Sequence, residues 1–191
     1  MSRKRKPLPF FENIEVVDIG SNGLAVAKTD GKVIFVKDAI PGDRADIQVY
    51  KKRKGIFEGK ATAIRTTSPD RQEPMCQHFG TCGGCKWQSM QYQAQLSFKQ
   101  ASVVNNLKKI GGIIPEKIQP ILPSKNNAFY RNKLEFTLSN KRWLTKEEIT
   151  SSDVSIETNG LGFHIPGRFD NVRDGTALAT RHRRSGTPTS C

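Results

Sequence analysis

"GSNGLAVAKTDGKVIFVKDAIPGD", residues Gly20 to Asp43, sets two runs of strand-forming residues on either side of Asp30-Gly31. Glycine accepts the positive φ that a tight primed turn needs at its second position, so this dipeptide predicts a hairpin joining Val26 to Val33. Pro41-Gly42-Asp43 is a second break, because proline keeps the preceding strand from running on. Outward from this stretch lie "IEVVDI" (14–19) before it and "RADIQVYK" (44–51) and "GKATAIR" (59–65) after it. Five short strands within about fifty residues predict a small closed sheet of the five-stranded OB type.

Barrels of this kind often bind single-stranded nucleic acid through a basic groove and aromatic stacking. The candidate contacts are the bases of "KKRKG": Lys51, Lys52, Arg53 and Lys54, flanked by Tyr50 and Phe57. The plain alternative is a solvated hairpin tip. "SRKRK" at the start reads as a basic tail that adds nonspecific phosphate attraction.

Composition agrees with a polyanion as partner. The chain has 191 residues and a formal net charge of +13, with 36% hydrophobic and 26% charged residues, ordinary proportions for a globular protein. Fifteen basic and nine acidic residues up to Arg71 leave +6, and sixteen and nine beyond it leave +7, so the excess runs along the whole chain. Such a surface attracts nucleic acid. No run approaches the roughly 20 apolar residues needed to span a bilayer, and Met1 to Lys6 lacks the apolar stretch of a secretory signal. No membrane association, a cytoplasmic location and a monomeric state are expected.

"CQHFGTCGGCKWQ", Cys76 to Gln88, packs three of the four cysteines into ten residues. In a reducing compartment this spacing points to metal rather than to a disulfide framework. Cys82 and Cys85 form a C-x2-C pair that sets two sulfurs on one turn, and Cys76 can loop back as a third ligand. Gly80, Gly83 and Gly84 permit a tight backbone and close approach of a bulky group. Zinc, with His78 completing a Cys3His set, and an iron-sulfur cluster both remain open on chemistry alone.

These residues resemble the bacterial RNA uracil-5-methyltransferases, in particular the 23S rRNA branch that carries an N-terminal TRAM domain and a [4Fe-4S] cluster. Gly20 to Asp43 looks like the TRAM segment, and "CQHFGTCGGCKWQSMQYQAQLSFKQ" (76–100) looks like the cluster segment followed by a helix. "YRNKLEFTLS" (130–139) is similar to the family's first strand after that helix, and "LGFHIPGRFDNV" (161–172) to the hairpin that precedes its fourth cluster cysteine. The resemblance covers residues 10 to 172. It implies a [4Fe-4S] cluster on Cys76, Cys82 and Cys85, and a barrel that helps to hold 23S rRNA. It also implies an S-adenosylmethionine-dependent methyl transfer to uridine C5 by a C-terminal Rossmann-like domain whose cysteine attacks C6 of a flipped-out base. No Gly-rich strand-to-helix turn follows Val172, so neither an S-adenosylmethionine site nor a catalytic cysteine is expected in this chain, which alone is expected to be inactive. The tail "RDGTALATRHRRSGTPTSC" (173–191) reads as a change of frame near Arg173, or as a short disordered basic end, with Cys191 at best an accidental ligand.

Between these parts, Leu96, Val103, Leu107 and Ile110 predict one amphipathic helix over Met90 to Ile110, stopped by Gly111-Gly112 and packed on the cluster lobe or the next sheet. Alternation of Leu134, Phe136 and Leu138 with Lys133, Glu135 and Thr137 predicts a half-buried strand, from whose start Arg131 and Lys133 can reach RNA phosphate. Residues 140–160 read as a loop or a short helix at the sheet's edge, with Asn159-Gly160 turning into the last hairpin.

The expected organisation is α+β. It has a basic tail (1–9), a TRAM-like barrel (10–71), a cysteine cluster with its helix (72–112), the start of a central antiparallel RNA-binding sheet (113–172) and an aberrant tail (173–191), with the methyltransferase domain absent. The expected function is the RNA-binding, iron-sulfur N-terminal portion of a 23S rRNA uridine C5 methyltransferase. The rival is a noncatalytic RNA-binding module stapled by zinc or an iron-sulfur site.

Overall fold

A computed structural model of the chain describes residues 7–20, 22–128, 130, 133–150, 158–166 and 171–174. Five strands form a closed barrel in the order β1-β2-β3-β5-β4: β1 (Phe10–Ile19), β2 (Ala25–Thr29), β3 (Lys32–Lys37), β4 (Arg44–Arg53) and β5 (Ile56–Thr66). All neighbours are antiparallel except β3 and β5, which run parallel, and β1 closes the barrel on β4. All five predicted strands are present; β1 starts four residues earlier than its apolar pattern shows and β5 three residues earlier.

The turns follow from local chemistry. Asp30 and Gly31 have φ of 46° and 71°, and Lys54 and Gly55 have φ of 48° and 82°, the left-handed pair that a two-residue primed hairpin demands. Inside, period-two alternation sends Ala25 and Ala27, Ile34 and Val36, Ala45, Ile47 and Val49, and Phe57 and Ala61 to a single core that Val16 joins from β1. Small and large side chains alternate as a narrow barrel requires. At Gly59 a Cβ would lie 2.6 Å from Ile47 Cγ2, so β4 and β5 pack there only because the residue is glycine.

Asp43, read from sequence only as part of a break, is a fully buried carboxylate. It accepts hydrogen bonds from Ile40 N (2.8 Å) and Ser68 N (2.9 Å), and from Arg71 Nε (3.1 Å) and Nη2 (2.5 Å). The β3–β4 connection is thereby tied to the chain leaving β5. Beyond that knot the chain makes an excursion closed by its own neck: Gln72 N donates to Ser89 O (2.9 Å), Gln91 N donates to Asp70 O (2.8 Å), and Arg71 bridges Met90.

Helix α1 (Tyr92–Lys109) confirms the predicted helix and its stop. Gly112 has φ of 63°, and Ile113 N donates to Leu107 O (2.9 Å). Its buried face bears out only part of the expected stripe, since Leu96 is buried and Leu107 half-buried. Met90 and Ala94 pack with Ile40, joined by Ile19 and Phe98, whereas Val103 and Ile110 are exposed. The start of the helix rests on barrel residues, because Ile19 and Ile40 offer an apolar surface to its first turns. Barrel and helix form one compact unit, residues 1–73 with 89–123.

The second unit comprises residues 74–88 with 124–191. Its sheet is antiparallel, in the order β6 (Thr137–Ser139), β7 (Gly160–His164), β8 (Val172–Asp174). The hairpin predicted over 161–172 is present as β7 and β8. The strand predicted over 130–139 pairs only at Thr137–Ser139, and Leu134, Phe136 and Leu138 are all exposed. Among the described residues no second layer covers that face, so alternation alone does not bury it. Between β6 and β7 the short helix α2 (Lys146–Thr150) is opened by a capping box, with Glu148 N donating to Thr145 Oγ1 (3.2 Å) and Thr145 N to Glu148 Oε2 (2.7 Å). The Thr145 N–H and the Arg142 guanidinium, whose Nη1 donates to Glu148 Oε1 at 2.7 Å, hold the Glu148 carboxyl below its ordinary range. No helix among the described residues is long and apolar enough to cross a membrane.

Candidate nucleic-acid interface and metal centre

The basic run lies at the tip of the β4–β5 hairpin, as expected, and the structure divides its members. Lys51 Nζ pairs with Glu58 Oε1 at 2.6 Å, and Lys52 Nζ sits 5.1 Å from the Phe57 ring centroid. Arg53 and Lys54 extend to the exposed turn. Phe57 is itself a core residue, 5% exposed and edge-on to Phe11 at 6.1 Å between centroids, so it offers no stacking surface to a base. Its alternation with Gly59 and Ala61 signalled this inward aim. Tyr50 differs: it is 42% exposed, and Lys37 Nζ stands 5.3 Å from its ring centroid. Partial burial and the Glu58 charge hold its hydroxyl above the ordinary 10.0, so the ring is neutral at physiological pH.

Of the cations assigned to the second sheet, Lys133 is fully displayed but pairs with Glu135 Oε1 at 2.9 Å, both side chains being about 80% exposed. Arg131 lies outside the described residues, as does Cys191.

The cysteine segment is a series of tight turns. Phe79 N donates to Cys76 O (3.0 Å), Thr81 N and Cys82 N donate to His78 O (3.1 and 2.9 Å), and Gly80 takes φ of 84°. Gly83 N donates to His164 O (3.1 Å), and a Cβ on Gly83 would lie 2.6 Å from that oxygen, so the segment docks on β7 through a position where any side chain would intrude. Cys82 and Cys85 are free and partly buried, and Gly84 N donates to Cys82 Sγ at 3.3 Å. Burial pushes the Cys82 thiol above its ordinary value and Cys85 adds to the rise, while the Gly84 N–H and the Arg173 charge oppose it. Arg173 Nε is buried without a hydrogen-bond partner. His78 is buried.

Two thiols, a backbone N–H aimed at sulfur and an orphaned guanidinium N–H suit an anionic sulfur-rich centre by chemistry. Convergence is another matter. Among the described residues no group of three or more His, Cys, Asp or Glu stands close enough to hold a metal ion. Cys82 and Cys85 are thus available as a pair, and the third sulfur is not brought to them.

The TRAM domain family matches residues 12–62, the span of the barrel. The chain is 47% identical over 164 residues to a protein of Porphyromonas gingivalis named as an uncharacterised RNA methyltransferase, covering 84% of this chain and 35% of that protein. A protein of Bacteroides thetaiotaomicron with the same name is 47% identical over 154 residues, 81% of this chain and 34% of its own length. The 23S rRNA (uracil(1939)-C(5))-methyltransferase RlmD of Thiobacillus denitrificans is 38% identical over 109 residues, 57% of this chain and 25% of its own length. The chain spans about a third of the length of the first two relatives. The barrel is therefore a TRAM domain, and the chain is a partial, N-terminal homologue of proteins named as RNA methyltransferases.

Proposed function

We propose that the chain is the RNA-binding N-terminal portion of an S-adenosylmethionine-dependent uridine C5 methyltransferase acting on 23S rRNA in the cytoplasm. The observation that carries this reading is a closed TRAM barrel whose outer surface displays cations and an exposed tyrosine, in a chain of net charge +13. The barrel binds and orients RNA, with the hairpin cations Lys51, Lys52, Arg53 and Lys54 attracting phosphate. Arg131 and Lys133 add contacts from the second unit. Methyl transfer belongs to the remaining length of such an enzyme, and this chain alone is expected to bind RNA without methylating it.

In the same reading, Cys82 and Cys85 would hold a [4Fe-4S] cluster, with Cys76 drawn to the pair as the third thiolate. The cluster would supply a thiolate-bound brace for the turn-rich segment that docks on β7.

Two measurements test these halves separately. Fluorescence anisotropy of a labelled single-stranded RNA titrated with the full chain reads RNA binding. Iron, sulfide and zinc analysis of chain purified without oxygen reads the centre. Matched iron and sulfide support the cluster; one zinc per chain supports the noncatalytic RNA-binding module instead; no metal removes the cysteine assignment. Cys82→Ala is expected to lose the metal, and full metal content in that variant would contradict the ligand set.

A further inference from the structure

The strand register places one lateral row of residues on the outside of the barrel. Phe10 of β1 pairs with Gln48 of β4, Gln48 with Lys60 of β5, and Lys60 with Lys37 of β3. Residues paired directly across strands share a face, so these four side chains line up over three inter-strand gaps of ~4.8 Å, a path of roughly 14 Å. Tyr50 lies two residues beyond Gln48 on the same face, as the extra residue of a bulge between Val49 and Lys51. Phe10 is 47% and Tyr50 42% exposed, and the Lys37 ammonium stands over one face of the tyrosine ring.

We propose that this outer row supplies the stacking site for a few unpaired RNA nucleotides, with a base stacked on Tyr50 and phosphates on Lys37 and Lys60, while the hairpin-tip cations add only charge. The proposal rests on the reading of the chain as an RNA binder and locates the contact. An exposed tyrosine with a cation at its ring, in a row that also carries the exposed Phe10 and Lys60, matches the alternation of base and phosphate in a single strand, which combines stacking with charge neutralisation. At the hairpin tip, by contrast, Phe57 is buried and Lys51 is paired with Glu58. Lys60 also has an ion pair, with Asp38 at 3.2 Å, but both side chains are exposed and a phosphate can displace the carboxylate at little cost. A duplex keeps its base faces stacked internally and offers nothing to Tyr50, so the row selects single strands.

The test uses the full chain and a fluorescein-labelled oligouridylate of about 12 nucleotides, within the site size of an OB-type barrel. Tyr50→Ala is expected to weaken binding by about 5- to 100-fold without changing the salt dependence, and Tyr50→Phe to stay within about twofold. Tyr50→Leu, which keeps the bulk and packing of the side chain, is expected to fall with Tyr50→Ala. Lys37→Gln is expected to lower the slope of log K against log salt by about 0.7. Unchanged binding in both Tyr50→Ala and Tyr50→Leu overturns the proposal while leaving RNA binding intact. Equal losses in Tyr50→Phe and Tyr50→Ala exclude stacking and overturn it as well. Equally tight binding of a poly-glutamate peptide, weakened by the same variants, assigns the face to an acidic protein partner instead. Failure of the unsubstituted chain to bind the oligonucleotide is a different result, and it removes the reading of the whole chain as an RNA binder.

Discussion

Asp43 has no exposed surface and Arg71 is 24% exposed, so the ion pair is partly buried, with a carboxylate that accepts four hydrogen bonds. Removing one partner strands the other, and Asp43→Ala is expected to cost about 3–5 kcal/mol in urea unfolding. A loss below about 1 kcal/mol would show that the knot does not hold the barrel's exit. Nothing local in "PGD" reveals this role, because Ser68 and Arg71 are contributed by chain 25 and 28 residues further on. The Asp30-Gly31 turn was legible, since a positive φ at glycine is a property of the dipeptide itself. Asp46 behaves differently from Asp43. The Arg65 guanidinium, with Nε at 2.9 Å, and Asn13 N hold its carboxyl below the ordinary 3.8. A depressed folded-state value means that Asp46 contributes stability above pH 3.8, and that the contribution is lost as pH falls through the lower folded value. The urea midpoints of the wild type and Asp46→Asn should therefore differ at neutral pH and converge as pH falls through the lowered folded-state value. A gap that persists there would assign the effect to packing.

At the scale of elements, α1 shows what periodicity can and cannot supply. Its existence and its Gly111-Gly112 stop were legible, but several apolar stripes fit an 18-residue helix, and the barrel decides which one is covered. Met90, whose side chain is 1% exposed beside Ile40 and Ala94, is expected to cost about 2–4 kcal/mol as Met90→Ala, whereas Val103→Ala should be nearly neutral. Equal costs would restore the stripe predicted from sequence. In the second unit, Gly83 meets the His164 carbonyl at a distance that excludes any Cβ. Gly83→Ala should therefore loosen the cysteine segment from β7, seen as faster hydrogen exchange of the Gly83 amide; unchanged protection would mean that the backbone shifts to accommodate the methyl. This docking was not legible, because Gly83 and His164 are joined only in the fold.

For the whole molecule, charge and barrel topology point the same way. The excess of cations is spread along the chain, and the TRAM barrel displays part of it beside exposed aromatics. That combination was readable from composition and from five short strands, and the relatives' names agree with it. The two candidate contact surfaces differ in legibility: the basic tip is conspicuous in a string of letters, while the proposed row from Phe10 to Lys37 exists only through strand pairing. The most direct test of the central claim is titration of the full chain into a labelled single-stranded RNA at two salt concentrations. The account predicts a dissociation constant of about 10⁻⁴ to 10⁻⁶ M at physiological salt, tightening steeply as salt is lowered. Absence of binding at low salt, or binding that does not respond to salt, would contradict it.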